Sequence, residues 1–124
     1  MRFAESKVGN VLIATVLDGR IVADNAPRFK SYLAEFISNG NRSIVLDMAA
    51  VTFIDSSGLG ALVASLKAIG NDGELVISGA RATVASMFKL TRMDKVFRMY
   101  ENNDAAVAAL SSGETNFEPL PFNN

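Results

Sequence analysis

The chain contains no cysteine, no histidine and no tryptophan. Without cysteine there is no disulfide framework, no thiolate nucleophile and no cysteine-based metal site. Without histidine there is no Ser-His-Asp triad, no HExxH zinc site and no phosphohistidine relay. Charge of one sign is lacking too: 12 basic side chains against 13 acidic ones give a formal net charge of −1. Broad nucleic-acid binding needs a basic surface that displaces counterions from phosphates, so this balance argues against it. No stretch approaches the roughly 18 uncharged apolar residues of a membrane span. The opening MRFAESKV holds no apolar signal segment. With 124 residues, 49% of them hydrophobic, the chain is long enough for one core without staples. These features predict a single-domain cytoplasmic protein with no metal, no cofactor and no membrane span.

What is present alternates between strand and helix patterns. Residues Arg2–Lys7 form a weak strand signal, and Gly9-Asn10 a turn before the β-branched run Val11–Leu17. Asp24-Asn25-Ala26-Pro27 reads as a helix start, with Asp or Asn as cap and proline in the first turn. Phe29, Leu33, Phe36 and Ile37 then form one apolar stripe that ends at Gly40. Ile44-Val45-Leu46 and Leu75-Val76-Ile77 are uninterrupted apolar runs, as expected of strands covered on both faces. Between them Met48–Ile54 is strand-like. A second, Ala-rich helical pattern starts at Ser57 and stops at Gly70-Asn71-Asp72-Gly73. A third helix is predicted over about Ala82–Leu90, a half-exposed strand over Phe97–Tyr100, and a last helix from Asn102-Asn103-Asp104 to about Leu110 with Val107 and Leu110 inward. The fold class is α/β: a mixed central sheet of about five strands with about four helices. The polar, proline-containing residues 112–124 read as a loose tail beyond a domain of residues 1–111.

One segment stands apart, Phe53-Ile54-Asp55-Ser56-Ser57-Gly58-Leu59-Gly60. It sets a carboxylate and two hydroxyls at a helix N-terminus, where free amides and the dipole favour oxygen ligands. Simple capping is the ordinary reading. A dinucleotide fingerprint would need glycine where Val63 stands, and a Walker-type Gly-Lys-Ser/Thr is absent. A serine hydrolase has no histidine base, and nothing positions Lys67 as a substitute. A further option is a serine displayed for modification, because phosphate is tolerated at a helix N-terminus and adds about −1.5 to −2 charges.

The run Val51–Leu62 closely resembles the phosphorylation-site segment of bacterial anti-sigma factor antagonists, which are STAS domains. The likeness extends over about residues 3–111. It includes Asp18-Gly19-Arg20-Ile21, Asn25-Ala26-Pro27, Ile44-Val45-Leu46-Asp47 and Phe88–Phe97. The resemblance implies a STAS fold and a partner-switching phosphoprotein of bacterial signal transduction and transcription regulation. By position Ser57 is the implied phosphoacceptor. Asp55, Ser56, Gly58, Leu59 and Gly60 are implied in partner binding, with Gly58 letting a partner approach the backbone. The unphosphorylated form would bind a serine kinase that is also an anti-sigma factor, phosphorylation would release it, and a serine phosphatase would reset it. The chain itself would be substrate and switch, not an enzyme. Where family members often carry Asp, this chain has Val22; Asp24, two residues on, is the acidic candidate for kinase recognition, or alternatively a helix cap. Two rival readings stand beside this one. One is a constitutive STAS protein-interaction subunit of a transport or signalling assembly, with Ser57 merely capping. The other is a nucleotide-binding or enzymatic role.

Overall fold

The computed structural model describes residues 1–112. Strands β1 (Phe3–Val8) and β2 (Val11–Val16) form a hairpin across Gly9, which takes a φ of +59° that glycine adopts without a Cβ penalty. Then follow β3 (Arg20–Ile21), α1 (Ala26–Ser38), β4 (Ser43–Asp47), β5 (Phe53–Ile54), α2 (Ser56–Ile69), β6 (Glu74–Ser78), α3 (Ala82–Leu90), β7 (Met99–Tyr100) and α4 (Asn103–Ser112). The main sheet has the order β1-β2-β4-β6-β7. Its first pair is antiparallel and the others are parallel. This is the mixed five-stranded sheet with four helices expected from the alternation of patterns. The tail expected over residues 112–124 lies outside the described residues, apart from Ser112, which closes α4.

The side-chain period of two along each strand divides the interior into two layers. Leu12, Ala14 and Val16 of β2 face the larger core with Ile44, Leu46, Leu75 and Ile77. That side is covered by Phe29, Leu33 and Phe36 of α1, Leu59 and Leu62 of α2, and Val84 and Phe88 of α3. Val11, Ile13, Val45 and Val76 face the other way, onto Ala106 of α4. Ile44, Val45 and Leu46 are therefore all fully buried, which is why their run shows no alternation. In α4 the deepest residues are Ala106 and Ala109, with Val107 and Leu110 half-buried beside them. Small residues let that helix lie close against the sheet. A polar clamp fixes it there: Asn103 Nδ2 donates to Asp47 Oδ2 (2.9 Å), which also accepts from Thr15 Oγ1 (3.2 Å).

Two local expectations are corrected. The strand-like run Met48–Ile54 is mostly a turn, closed by the Val51 amide donating to the Met48 carbonyl (2.9 Å). Met48, Val51 and Ile54 turn inward while Ala49 and Ala50 stay exposed, so the apolar content reflects three anchors and not an extended strand. Only Phe53–Ile54 is extended, and it pairs in parallel with β3, outside the main sheet. The helix start at residues 24–27 also differs in its chemistry. Asn25 occupies the N-cap position of α1, but its side chain does not cap the helix. It turns back to accept from the Val22 amide (2.9 Å) and to donate to the Arg20 carbonyl (2.8 Å). Pro27 contributes to this outcome, because it removes the second-position N–H that a cap would bind.

Candidate functional site

The β3–β5 ribbon explains how the site is assembled. Each of its two short strands runs directly into a helix, β3 through residues 22–25 into α1 and β5 into α2. Because the strands are parallel, the two helix starts lie side by side. The ribbon is extended by the Thr52 amide donating to the Gly19 carbonyl (2.7 Å) and the Asp55 amide donating to the Ile21 carbonyl (3.1 Å). Arg20 stacks over the half-exposed Phe53 ring, 4.8 Å from its centroid. Thr83 of α3 secures the other side by donating to the Thr52 carbonyl (2.8 Å).

Asp55 is the centre of this arrangement. As N-cap of α2 it accepts through Oδ1 from the Ser57 amide (2.9 Å) and the Gly58 amide (3.2 Å). Its other oxygen, Oδ2, accepts from the Ala23 amide (3.2 Å). One carboxylate thus satisfies two orphan donors of α2 and ties down the loop that leads into α1. Capping is done by Asp55, and the serines are left free of it. Ser56 and Ser57 are both exposed, and among the described residues neither hydroxyl has a hydrogen-bond partner. Asp24 is also exposed and caps nothing; it sits beside Ala23 in the loop held by Asp55.

The remaining residues named from the motif divide by direction. Gly60 is exposed, and a Cβ there would meet open space. Gly58 and Leu59 are buried and are removed from the exposed contact surface. A Cβ at Gly58 would lie 2.6 Å from Ile54 Cγ1 and 2.9 Å from Ile21 Cγ2. The glycine is there so that α2 can start directly on the ribbon, which corrects the expectation that it opens the backbone to a partner. Gly58→Ala is accordingly expected to destabilise the protein by about 1–2 kcal/mol by overpacking, although alanine normally favours a helix interior over glycine by about 0.5–1 kcal/mol. Thermal or urea unfolding checks the sign.

Between the two helix starts lies an open groove of about 400 Å³. Ala23, Ala26, Pro27 and Lys30 line one side, and Ser57, Gly60 and Ala61 the other. Ala26 and Ala61 are buried and form the floor. Ser57 lies on the groove; Ser56 does not. Lys30 was not singled out by the motif, although it follows Ala26 by four residues and so shares its helix face. The basic residues Arg81, Lys89, Arg92 and Lys95 are exposed and scattered, while Arg98 is half-buried and pairs with Glu74. Phe97 is fully buried and Met93 packs against the core, so neither forms an exposed patch at the site.

The family model of the STAS domain matches residues 6–106. The chain belongs to the STAS domain family. Among sequence relatives, this STAS domain is 29% identical over 104 residues to the anti-sigma-B factor antagonist of Staphylococcus aureus, covering 83% of this chain and 88% of that one. It is 28% identical over 113 residues to BtrV of Bordetella bronchiseptica, a candidate anti-sigma factor antagonist, covering 90% and 97%. Among solved structures, a candidate anti-sigma factor antagonist from Thermotoga maritima superimposes with a TM-score of 0.80 at 26% identity, covering 88% of this chain and 94% of that one. These relatives bear regulatory rather than catalytic names. No helix among the described residues of this STAS domain is long and apolar enough to cross a membrane.

Proposed function

We propose that this chain is an anti-sigma factor antagonist that works as a phospho-switch in the cytoplasm. Its unphosphorylated form binds a serine kinase that doubles as anti-sigma factor, phosphorylation of Ser57 ends that complex, and a serine phosphatase restores it. The similarity to named antagonists supports the class of partner. The observation that carries the choice of residue is that Ser57, unlike Ser56, lines the groove, with an exposed hydroxyl that has no internal partner among the described residues, on a helix start that Asp55 already caps. Modification there costs no internal hydrogen bond. Ser56, Gly60 and Asp24 are the exposed neighbours that a partner would meet, with Asp55 holding them in register. A phosphoryl group adds about −1.5 to −2 charges to this surface, against a chain net charge of −1.

Intact-mass analysis with the cognate kinase and ATP tests the proposal. The wild-type chain and Ser56→Ala are expected to gain one phosphoryl group, and Ser57→Ala none. Equal labelling of wild type and Ser57→Ala would remove Ser57 as acceptor. No labelling of any of the three would remove the switch for that kinase.

A further inference from the structure

The site poses an electrostatic problem that its own N-cap creates. A phosphoryl group at a helix start is ordinarily stabilised by free backbone amides. In this chain the amides of Ser57 and Gly58 are already taken by Asp55 Oδ1. A phosphate on Ser57 would therefore lie beside an existing carboxylate, with two of the nearby donors occupied. Beyond solvent, any countercharge for it would come from a side chain elsewhere on this surface.

The groove supplies one cation. Among the described residues Lys30 is the only charged side chain lining it, and Ser57 lies on the facing wall. The register brings this about. On α1 Lys30 follows Pro27 by three residues and Ala26 by four, and on α2 Gly60 and Ala61 follow Ser57 by three and four, so Lys30 and Ser57 each share a helix face with the other lining residues of their own helix. The floor and far wall consist of Ala26, Gly60 and Ala61, none of which has a side chain long enough to block the space between. A Cβ at Gly60 would meet nothing within 4 Å. Lys30 is exposed, and among the described residues it has no carboxylate within ion-pair distance. It is thus a cation at the edge of an open groove, with no partner of its own and a serine opposite.

We propose that Lys30 is the counter-ion of the Ser57 phosphoryl group. This inference rests on Ser57 being the modified residue, and it adds a regulatory consequence. In the unphosphorylated chain Lys30 offers the groove a free positive charge, suited to an acidic side chain of the partner. Phosphorylation then acts twice on the same surface: it introduces a dianion, and it withdraws the one cation that an acidic partner group would use. Lysine suits this role as a flexible point charge able to cross a groove.

The proposal is tested on full-length chain carrying phosphoserine installed at position 57 during synthesis, so the outcome does not depend on any kinase. The second ionisation of the phosphate, ordinarily near pH 6, is followed by ³¹P NMR across pH at low salt. A nearby cation favours the dianion and lowers this pKa. Lys30→Ala is expected to raise it by about half a pH unit, Lys30→Arg to leave it close to that of the parent, and added salt to shrink the difference. Arg28→Ala is the control, since it removes the same charge from the same helix away from the groove. An equal rise in Lys30→Ala and Arg28→Ala would show only general surface charge and overturn the pairing, as would no rise in Lys30→Ala. Equal kinase labelling of wild type and Ser57→Ala together with a positive result here would reject Ser57 as the natural acceptor while leaving the pairing intact.

Discussion

Asp55→Ala is expected to lower the unfolding free energy by about 2–3 kcal/mol, more than an ordinary helix cap. Loss of an N-cap side chain typically costs about 1 kcal/mol. Here the same carboxylate also accepts from the Ala23 amide, and hydrogen bonds to charged groups contribute about 1.5–3 kcal/mol each. Asp55→Asn separates the two roles. Asparagine is as good an N-cap as aspartate, but only one of its two terminal atoms is an acceptor. It retains the cap on Ser57 and Gly58 and gives up the tie to Ala23, so it should lose about 1 kcal/mol. Urea denaturation measures both. Amide hydrogen exchange locates the effect: Ala23 should lose protection in both variants, and Gly58 only in Asp55→Ala.

Phe29→Ala should cost more, about 3–5 kcal/mol. Phe29 is fully buried and projects from α1 into the larger core. Its ring stacks on Phe3 of β1 at a centroid distance of 6.2 Å, and Phe3 meets Phe36 edge-on at 5.4 Å. The cavity left by alanine would lie under the first turns of α1, beneath the wall that carries Pro27 and Lys30. Phe53→Ala is the contrasting case. Phe53 is half-exposed on the ribbon and held chiefly by Arg20, an exposed cation–π pair of about 0.5–1 kcal/mol. Chemical denaturation with unchanged m values would show that both losses are changes in stability and not in the surface exposed on unfolding. A loss from Phe29→Ala no larger than that from Phe53→Ala would contradict this account of the core.

Much of the architecture was legible because burial leaves a simple imprint on composition. Ile44-Val45-Leu46 and Leu75-Val76-Ile77 lack alternation because helices cover both faces of the sheet. Phe29, Leu33 and Phe36 recur at three and four because only one stripe of α1 meets the core. The predicted range Ala82–Leu90 is α3 as found. The ribbon was not legible. Two strands of two residues each carry no period, and their pairing joins positions 33 residues apart. The same limit applies to the site. The Asp-Ser-Ser-Gly run marked where chemistry should be sought, but not which member caps the helix. That depends on where the Asp55 oxygens point, and on an Ala23 amide that no side-chain pattern reveals. The motif suggests Gly58 as a point of close approach for a partner, whereas its missing Cβ makes room for Ile21 and Ile54, whose packing becomes apparent only in three dimensions.

The ribbon also has a kinetic consequence. It fixes both walls of the groove to one small framework, through the Gly19, Ile21 and Ala23 backbone contacts and the carboxylate between them. Under the proposed switch, a surface already in place would pay little ordering entropy when a partner docks, and phosphorylation would call for no refolded segment. The time taken to respond would then be set by the enzymes that add and remove the phosphate, and by how fast the partner leaves. Relaxation of the domain itself would add no delay.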